Sequence, residues 1–192
     1  MLNKSRLKSI FFLVGVALFA IFGAVGISLL TEFIVAFQQG ANPASIFRGH
    51  KLIIPDTEIA RWVSINDSQG SIPTRAQQEE IIAAYWSGWE ALGRAHFTGD
   101  TRDLLTYWTG DAYQEVITSI NSDVPLEQTH GGHKLRLIFL SDDGSVAAFD
   151  DEDFMLQQTL ENRTLTLQMS ASVVMTLDNG FWRIRVMIIT YH

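Results

Sequence analysis

The sequence predicts an α+β fold, with an N-terminal single transmembrane helix ahead of about three helices packed on an antiparallel sheet of at least four strands. Three observations predict it. An uncharged apolar run fills residues 10–30, helical spacing governs residues 75–120, and two-residue alternation governs the chain beyond Pro125.

The apolar run comes first. From Ser9 to Thr31 no side chain is ionisable, and the 21 residues from Ile10 to Leu30 are apolar apart from Ser28 and three glycines. About 20 such residues cross the roughly 30 Å hydrocarbon layer of a bilayer. A helix buried in a soluble core has no need to be apolar on every face. Lys4, Arg6 and Lys8 precede the run with no acid before Glu32, which places the N-terminus in the cytoplasm and the rest outside it. A cleaved signal peptide is the alternative, but its apolar region is about 7–15 residues and ends at a small-x-small site. Here Phe33–Phe37 prolongs the run instead. Ala20, Ala24 and Ser28 recur every fourth residue beside Gly23, which marks a candidate helix-packing face in lipid.

The chain therefore divides into a basic tail (1–8), a transmembrane helix with its interfacial extension (9–37), a linker (38–73) and an α+β domain (74–192). The linker holds three of the four prolines, Pro43, Pro55 and Pro73, yet it also carries Leu52-Ile53-Ile54 and Ile59, Trp62, Val63 and Ile65. A pure spacer needs no such clusters, so part of it is expected to lie on the membrane, the domain or a partner.

Thr74-Arg75-Ala76-Gln77 has the form of a capping box. Ile81, Ile82, Tyr85, Trp86, Trp89, Leu92 and His96 then share one broad face, and Gly99 stops the helix. A short second helix carries Leu104, Leu105 and Trp108, and a third carries Tyr113, Val116, Ile117 and Ile120. Leu135–Leu140 and Val146–Gln157 read as strands about a Ser141–Gly144 turn. Thr164–Leu177 alternates Leu165, Leu167, Met169, Ala171, Val173, Met175 and Leu177 against polar neighbours, the pattern of a half-buried antiparallel strand. Asp178-Asn179-Gly180 is a hairpin turn, and Phe181–Tyr191 returns.

The long helix, the "TGDTRDLLTYWTGDAY" helical pair and the closing "LDNGFWRIRV" hairpin resemble the nuclear transport factor 2-like, or cystatin-like cone, superfamily over residues 75–192. The helical pair is more similar still to membrane-anchored domains of mitochondrial Tim-type translocase and plastid-division proteins. Bacterial type IV secretion assembly factors and Mce-associated proteins share the same look. The resemblance implies a cone-shaped domain with a curved antiparallel sheet, and a single-pass protein of a bacterial inner membrane with its C-terminal domain extracytoplasmic. It leaves function open, because the cone hosts both enzymes and binding domains.

Composition narrows the chemistry. There is no cysteine, which excludes disulfides, thiolate metal sites and a cysteine nucleophile. From Thr74 onward 17 acidic residues face 8 Lys or Arg, so nucleic acid is not an expected partner. Asp150-Asp151-Glu152-Asp153 alternates across a strand, which keeps the four carboxylates from meeting at one metal. His130-Gly131-Gly132-His133 offers two ligands without a third, and a turn before the first strand accounts for its glycines. His96, at a helix end, faces free carbonyls.

The aromatic residues remain, with Tyr85, Trp89 and Trp182 as candidate cavity-lining side chains. An isomerase of the cone class needs a carboxylate base beside a donor such as Tyr85, and the inward positions of the Thr164–Leu177 strand supply none. The expectation is therefore a non-enzymatic, membrane-anchored accessory or assembly subunit. It needs no metal or cofactor, and its partners are the lipid bilayer and an integral-membrane or extracytoplasmic protein. A tethered small-molecule binder using the cone cavity is the alternative, with an isomerase- or hydrolase-like enzyme behind it. An inward carboxylate near Tyr85 would favour the enzyme; a filled apolar interior would count against it.

Overall fold

The computed structural model describes residues 52, 54–65, 68–120, 125–160 and 163–192. The chain divides into two units, Met1–Ala41 and Asn42–His192, and the described residues all belong to the second. In chain order the elements are β1 (Ala60–Ser64), β2 (Gln69–Gly70), α1 (Arg75–Thr98), α2 (Leu104–Tyr107), α3 (Gly110–Ser119), β3 (Glu127–Gly131), β4 (His133–Leu140), β5 (Val146–Leu160), β6 (Arg163–Asp178) and β7 (Phe181–Tyr191).

The expected fold class is corrected in two respects. Among the described residues the sheet is mixed and has seven strands, ordered β1-β4-β5-β6-β7, with β2 also on β4 and β3 also on β5. Both β1 and β2 run parallel to β4, while the pairs from β3 to β7 are antiparallel. The parallel strands come from residues 60–70, inside the stretch read as linker. A parallel pair needs a long crossover, here supplied by the helical segment, so no local turn signal announces it. The transmembrane helix is the second correction. Among the described residues no helix is long and apolar enough to cross a membrane. The segment expected to do so, including Ala20, Gly23, Ala24 and Ser28, lies outside the described residues.

Local chemistry explains the long helix. The Gln77 N–H donates to Thr74 Oγ1 and the Thr74 N–H donates to Gln77 Oε1, closing the capping box at 3.3 and 2.9 Å. At the other end Gly99 takes φ 74°, a left-handed conformation that suits glycine, and its N–H caps the Ala95 carbonyl. Ile81, Tyr85, Trp89, Leu92 and Ala95 are buried on the inner face. The short helices follow as the sequence predicts, except that Trp108 and Ile120 are extended and stand beyond α2 and α3. The Trp108 indole N–H donates to the Gly88 carbonyl at 3.0 Å, and Trp108 bridges Ile184 of β7. Gly88 allows that approach, because a Cβ there would lie 2.8 Å from Ile184 Cδ1.

On the sheet, Ala147 and Phe149 of β5, Ala171, Val173 and Met175 of β6, and Trp182 and Ile184 of β7 point into the core. Leu165 is 56% exposed although it shares the parity of the buried Met169, so the expected inward face of β6 does not extend to it. Asn179 and Gly180 take φ 51° and 81°, the left-handed pair that a two-residue hairpin requires. Trp62 of β1 packs edge-on against Phe149 at 5.5 Å and donates to the Gln78 carbonyl, tying the parallel edge to α1.

Replacing Thr74 with Ala is expected to lower the unfolding free energy by about 1 kcal/mol. Urea denaturation followed by circular dichroism measures it, and an unchanged midpoint would show that the capping box contributes nothing.

Candidate functional site

Where β3 gives way to β4, Gly132 takes φ 77°, and the chain turns His133 into the core. Opposite it, Ala147, Phe149 and Asp151 share one parity of β5, so Asp151 also points inward. Tyr85 of α1 reaches the same point. Its hydroxyl donates to Asp151 Oδ2 at 2.9 Å, His133 Nδ1 lies 2.5 Å from that oxygen, and the Lys134 backbone N–H donates to Oδ1 at 3.1 Å. With its hydrogen on Nδ1, the His133 ring donates to the same oxygen that accepts from Tyr85. All three side chains are sealed from solvent.

Burial pushes the Tyr85 hydroxyl well above its ordinary pKa, and the Asp151 charge adds to the rise, so it stays a donor. The Trp89 indole N–H acts on that hydroxyl in the opposite sense, although it makes no hydrogen bond of good geometry among the described residues. The remaining acids of the run face elsewhere. Asp150 and Glu152 meet Arg136 on the outer face of the sheet at 3.5 and 2.9 Å, and Asp153 accepts from Gln168 and Lys134. A register shift between Asp151 and Phe154 returns β5 to phase.

Around this network the rings of Tyr85, Trp89, His133, Phe149 and Phe154 pack closely, with His133 stacked on Phe154 at 4.6 Å. His130 stacks on His133 at 5.9 Å and meets Trp89 at 4.6 Å. Both His130 ring nitrogens are buried without a partner among the described residues. Burial above all, with His133 and His96 nearby, lowers the His130 pKa to about 3, so the ring is neutral at physiological pH.

Two recesses flank β3 and share Thr129 and His130. One, of about 420 Å³, lies between α1 and β3 and is lined by Trp86, Trp89, Glu90, Gly93, Arg94 and Phe97 opposite Glu127–His130. The α1 residues fall three and four apart, so they form one stripe along the helix. At Gly93 a Cβ would meet Gln128 Cβ at 3.9 Å, an ordinary contact, so a small side chain would also fit there. The Leu126 N–H donates to the His96 carbonyl at 3.1 Å and fixes where β3 departs from the helix. The second recess, of about 430 Å³, is lined by Thr129–Gly132, Lys134, Asp153–Met155 and Gln157.

Of the side chains singled out from sequence, the structure brings Tyr85 and Trp89 together at 6.3 Å and leaves Trp182 elsewhere in the core. All three are buried in the packed interior, and Trp89 also forms part of the α1–β3 recess. Sequence reasoning missed Asp151 and His133 as interior groups, and it read His130–His133 as a turn, whereas Glu127–Gly131 is a strand and the chain turns at Gly132. The parity Ala147, Phe149, Asp151 was the available signal. Among the described residues no group of three or more His, Cys, Asp or Glu is placed to hold a metal ion.

No family model matches the chain. No curated protein matches it either. Among solved structures, it is similar to the intermembrane space region of the chloroplast protein ARC6. The identity is 16%, the TM-score is 0.44, and the match covers 56% of this chain and 92% of that one. A likeness of that degree supports no argument about activity.

Truncating Asp151 to Ala would leave three buried donors without an acceptor, and is expected to cost about 3–5 kcal/mol in urea denaturation. A cost below about 1 kcal/mol would show that the network is dispensable. His130 gives a pH signature. Its pKa is about 3 in the fold against 6.5 in the free side chain, so in that window the unfolded chain binds a proton that the folded chain does not. Stability from this residue is complete above that window and falls as pH drops through it, by at most about 1.4 kcal/mol per pH unit. His130→Phe should flatten the fall in urea midpoints below about pH 6.5; an unchanged slope would assign the titration to other groups.

Proposed function

We propose that the chain is a non-catalytic accessory or assembly subunit that binds a protein partner in the recess between α1 and β3. One observation carries this reading. An inward carboxylate does stand beside Tyr85, the arrangement expected to favour an enzyme, but it is sealed and already accepts from three donors, while the aromatic stripe of α1 borders an open recess. Catalysis by the Tyr85, His133 and Asp151 set would require a substrate to reach groups that are at most 1% exposed. A small molecule inside the sheet–helix core meets the same obstacle, because Tyr85, Trp108, Phe149 and Phe154 fill that space.

The recess has the features of a protein-binding surface: large aromatic side chains, a polar rim and a bounded volume. Phe97 is 56% exposed at its end, an apolar ring that a partner would cover. A setting at a membrane belongs to the same proposal, and fractionation of the cells tests it.

Site-directed photo-crosslinking in cells tests this reading. A crosslinker in place of Phe97 or Glu90 should give a discrete protein adduct in the membrane fraction, and one in place of Glu115 or Thr118 on α3 should not. The adduct should be lost when Trp86 is changed to Ala. Equal labelling from both helices, or adducts indifferent to Trp86, would overturn the assignment of the recess.

A further inference from the structure

We infer that the α1–β3 recess accepts a cationic side chain, an arginine or lysine carried on an extended segment of the partner; this rests on the binding reading above and specifies its chemistry. The wall from α1 presents Trp86 and Phe97, with the buried Trp89 behind them, and aromatic faces attract cations through their negative quadrupole. Two carboxylates stand on the same recess, Glu90 midway along the helical stripe and Glu127 at the start of β3. Both are exposed, and neither forms an ion pair among the described residues.

The positive charge already present is only partly offset. Arg94 lines the recess, and its guanidinium meets Asp103 at 3.2 Å in a solvent-exposed pair. The His130 ring at the inner end is neutral, so it does not oppose a cation. The wider field agrees, with 17 acidic residues against 8 Lys or Arg from Thr74 to the C-terminus. An anionic or purely apolar ligand would leave Glu90 and Glu127 facing like charge or losing water without a partner.

The extended form of the occupant follows from the other wall. Four consecutive residues, Glu127 to His130, line the recess, so side chains of both parities and the backbone between them border it. Among the described residues β3 pairs only with β5, which leaves its other edge without a strand. An extended segment laid along that edge would place one long side chain over the α1 stripe.

The tryptophans provide the readout, because Trp62 and Trp182 lie outside this recess and serve as internal controls, whereas Trp108 packs edge-on against Trp89 and does not. The full chain, labelled with ¹⁵N at the indoles, is titrated with N-acetyl-arginine methylamide and with its neutral citrulline counterpart. The Trp86 and Trp89 indole signals should shift saturably with the arginine compound. The citrulline compound, and the arginine compound on Glu90→Gln/Glu127→Gln, should each bind about tenfold more weakly, as loss of a charge–charge or cation–π contact predicts. Both glutamates are exposed, so the double variant should keep the fold, seen in unchanged control indoles. Equal response to the two compounds, or indifference to the double variant, would overturn the cation assignment while leaving binding at Trp86 and Trp89 intact. No response to either compound would also overturn it, and the Phe97 crosslink then decides separately whether a partner binds there.

Discussion

Asp151 is where three segments distant in sequence are fastened together. Its carboxylate takes a hydroxyl from α1, an imidazole N–H from the first residue of β4 and a backbone N–H from the second, all from its own place on β5. In a low-dielectric interior a charge is tolerated only when such donors surround it, and each donor in turn depends on that acceptor. The helix cannot slide along the sheet, nor β4 slip against β5, without exposing one of these groups unpaired. A hydrophobic core alone would resist such slippage far less, because apolar contacts are not directional.

The same constraint forms the candidate site. With His133 fixed inward and Gly132 turning the chain, β3 is set at the end of β5, with His130 stacked on His133 and Trp89. The Leu126-to-His96 hydrogen bond closes the geometry at the end of the helix. What stays open is the strip between α1 and β3, bounded by aromatic and acidic side chains. The buried network is thus a support and the recess is the surface, which separates the role of Tyr85 from that of Trp86 although they are adjacent in sequence.

Much of the domain was legible locally. The capping box at Thr74, the long helix, the Asn179-Gly180 hairpin and the alternation of β6 from Met169 to Met175 are short-range signals, and each appears where the sequence placed it, although the inward face stops short of Leu165. Tyr85 and Trp89 were legible as interior residues from helical spacing alone. The acidic run was harder. Four adjacent acids look like one solvated stretch, yet strand alternation sends Asp151 inward on the parity of Ala147 and Phe149. The His130–His133 motif misled in a similar way, since two glycines suggest a turn, whereas only Gly132 turns and Gly131 ends a strand.

The sequence by itself determined the elements whose signals lie within a few residues: helix limits, hairpin turns, antiparallel neighbours joined by short loops, and the acidic character of the domain. It also determined the uncharged run of residues 10–30, which lies outside the described structure. Only the tertiary structure decided that residues 60–70 pair in parallel with β4, that β3 and β4 share β5, and that Tyr85, His133 and Asp151 meet. The physical reason is range. A turn or a cap is settled by neighbouring backbone groups, whereas a parallel partner or a buried carboxylate's donors are chosen by which distant segments exclude water together.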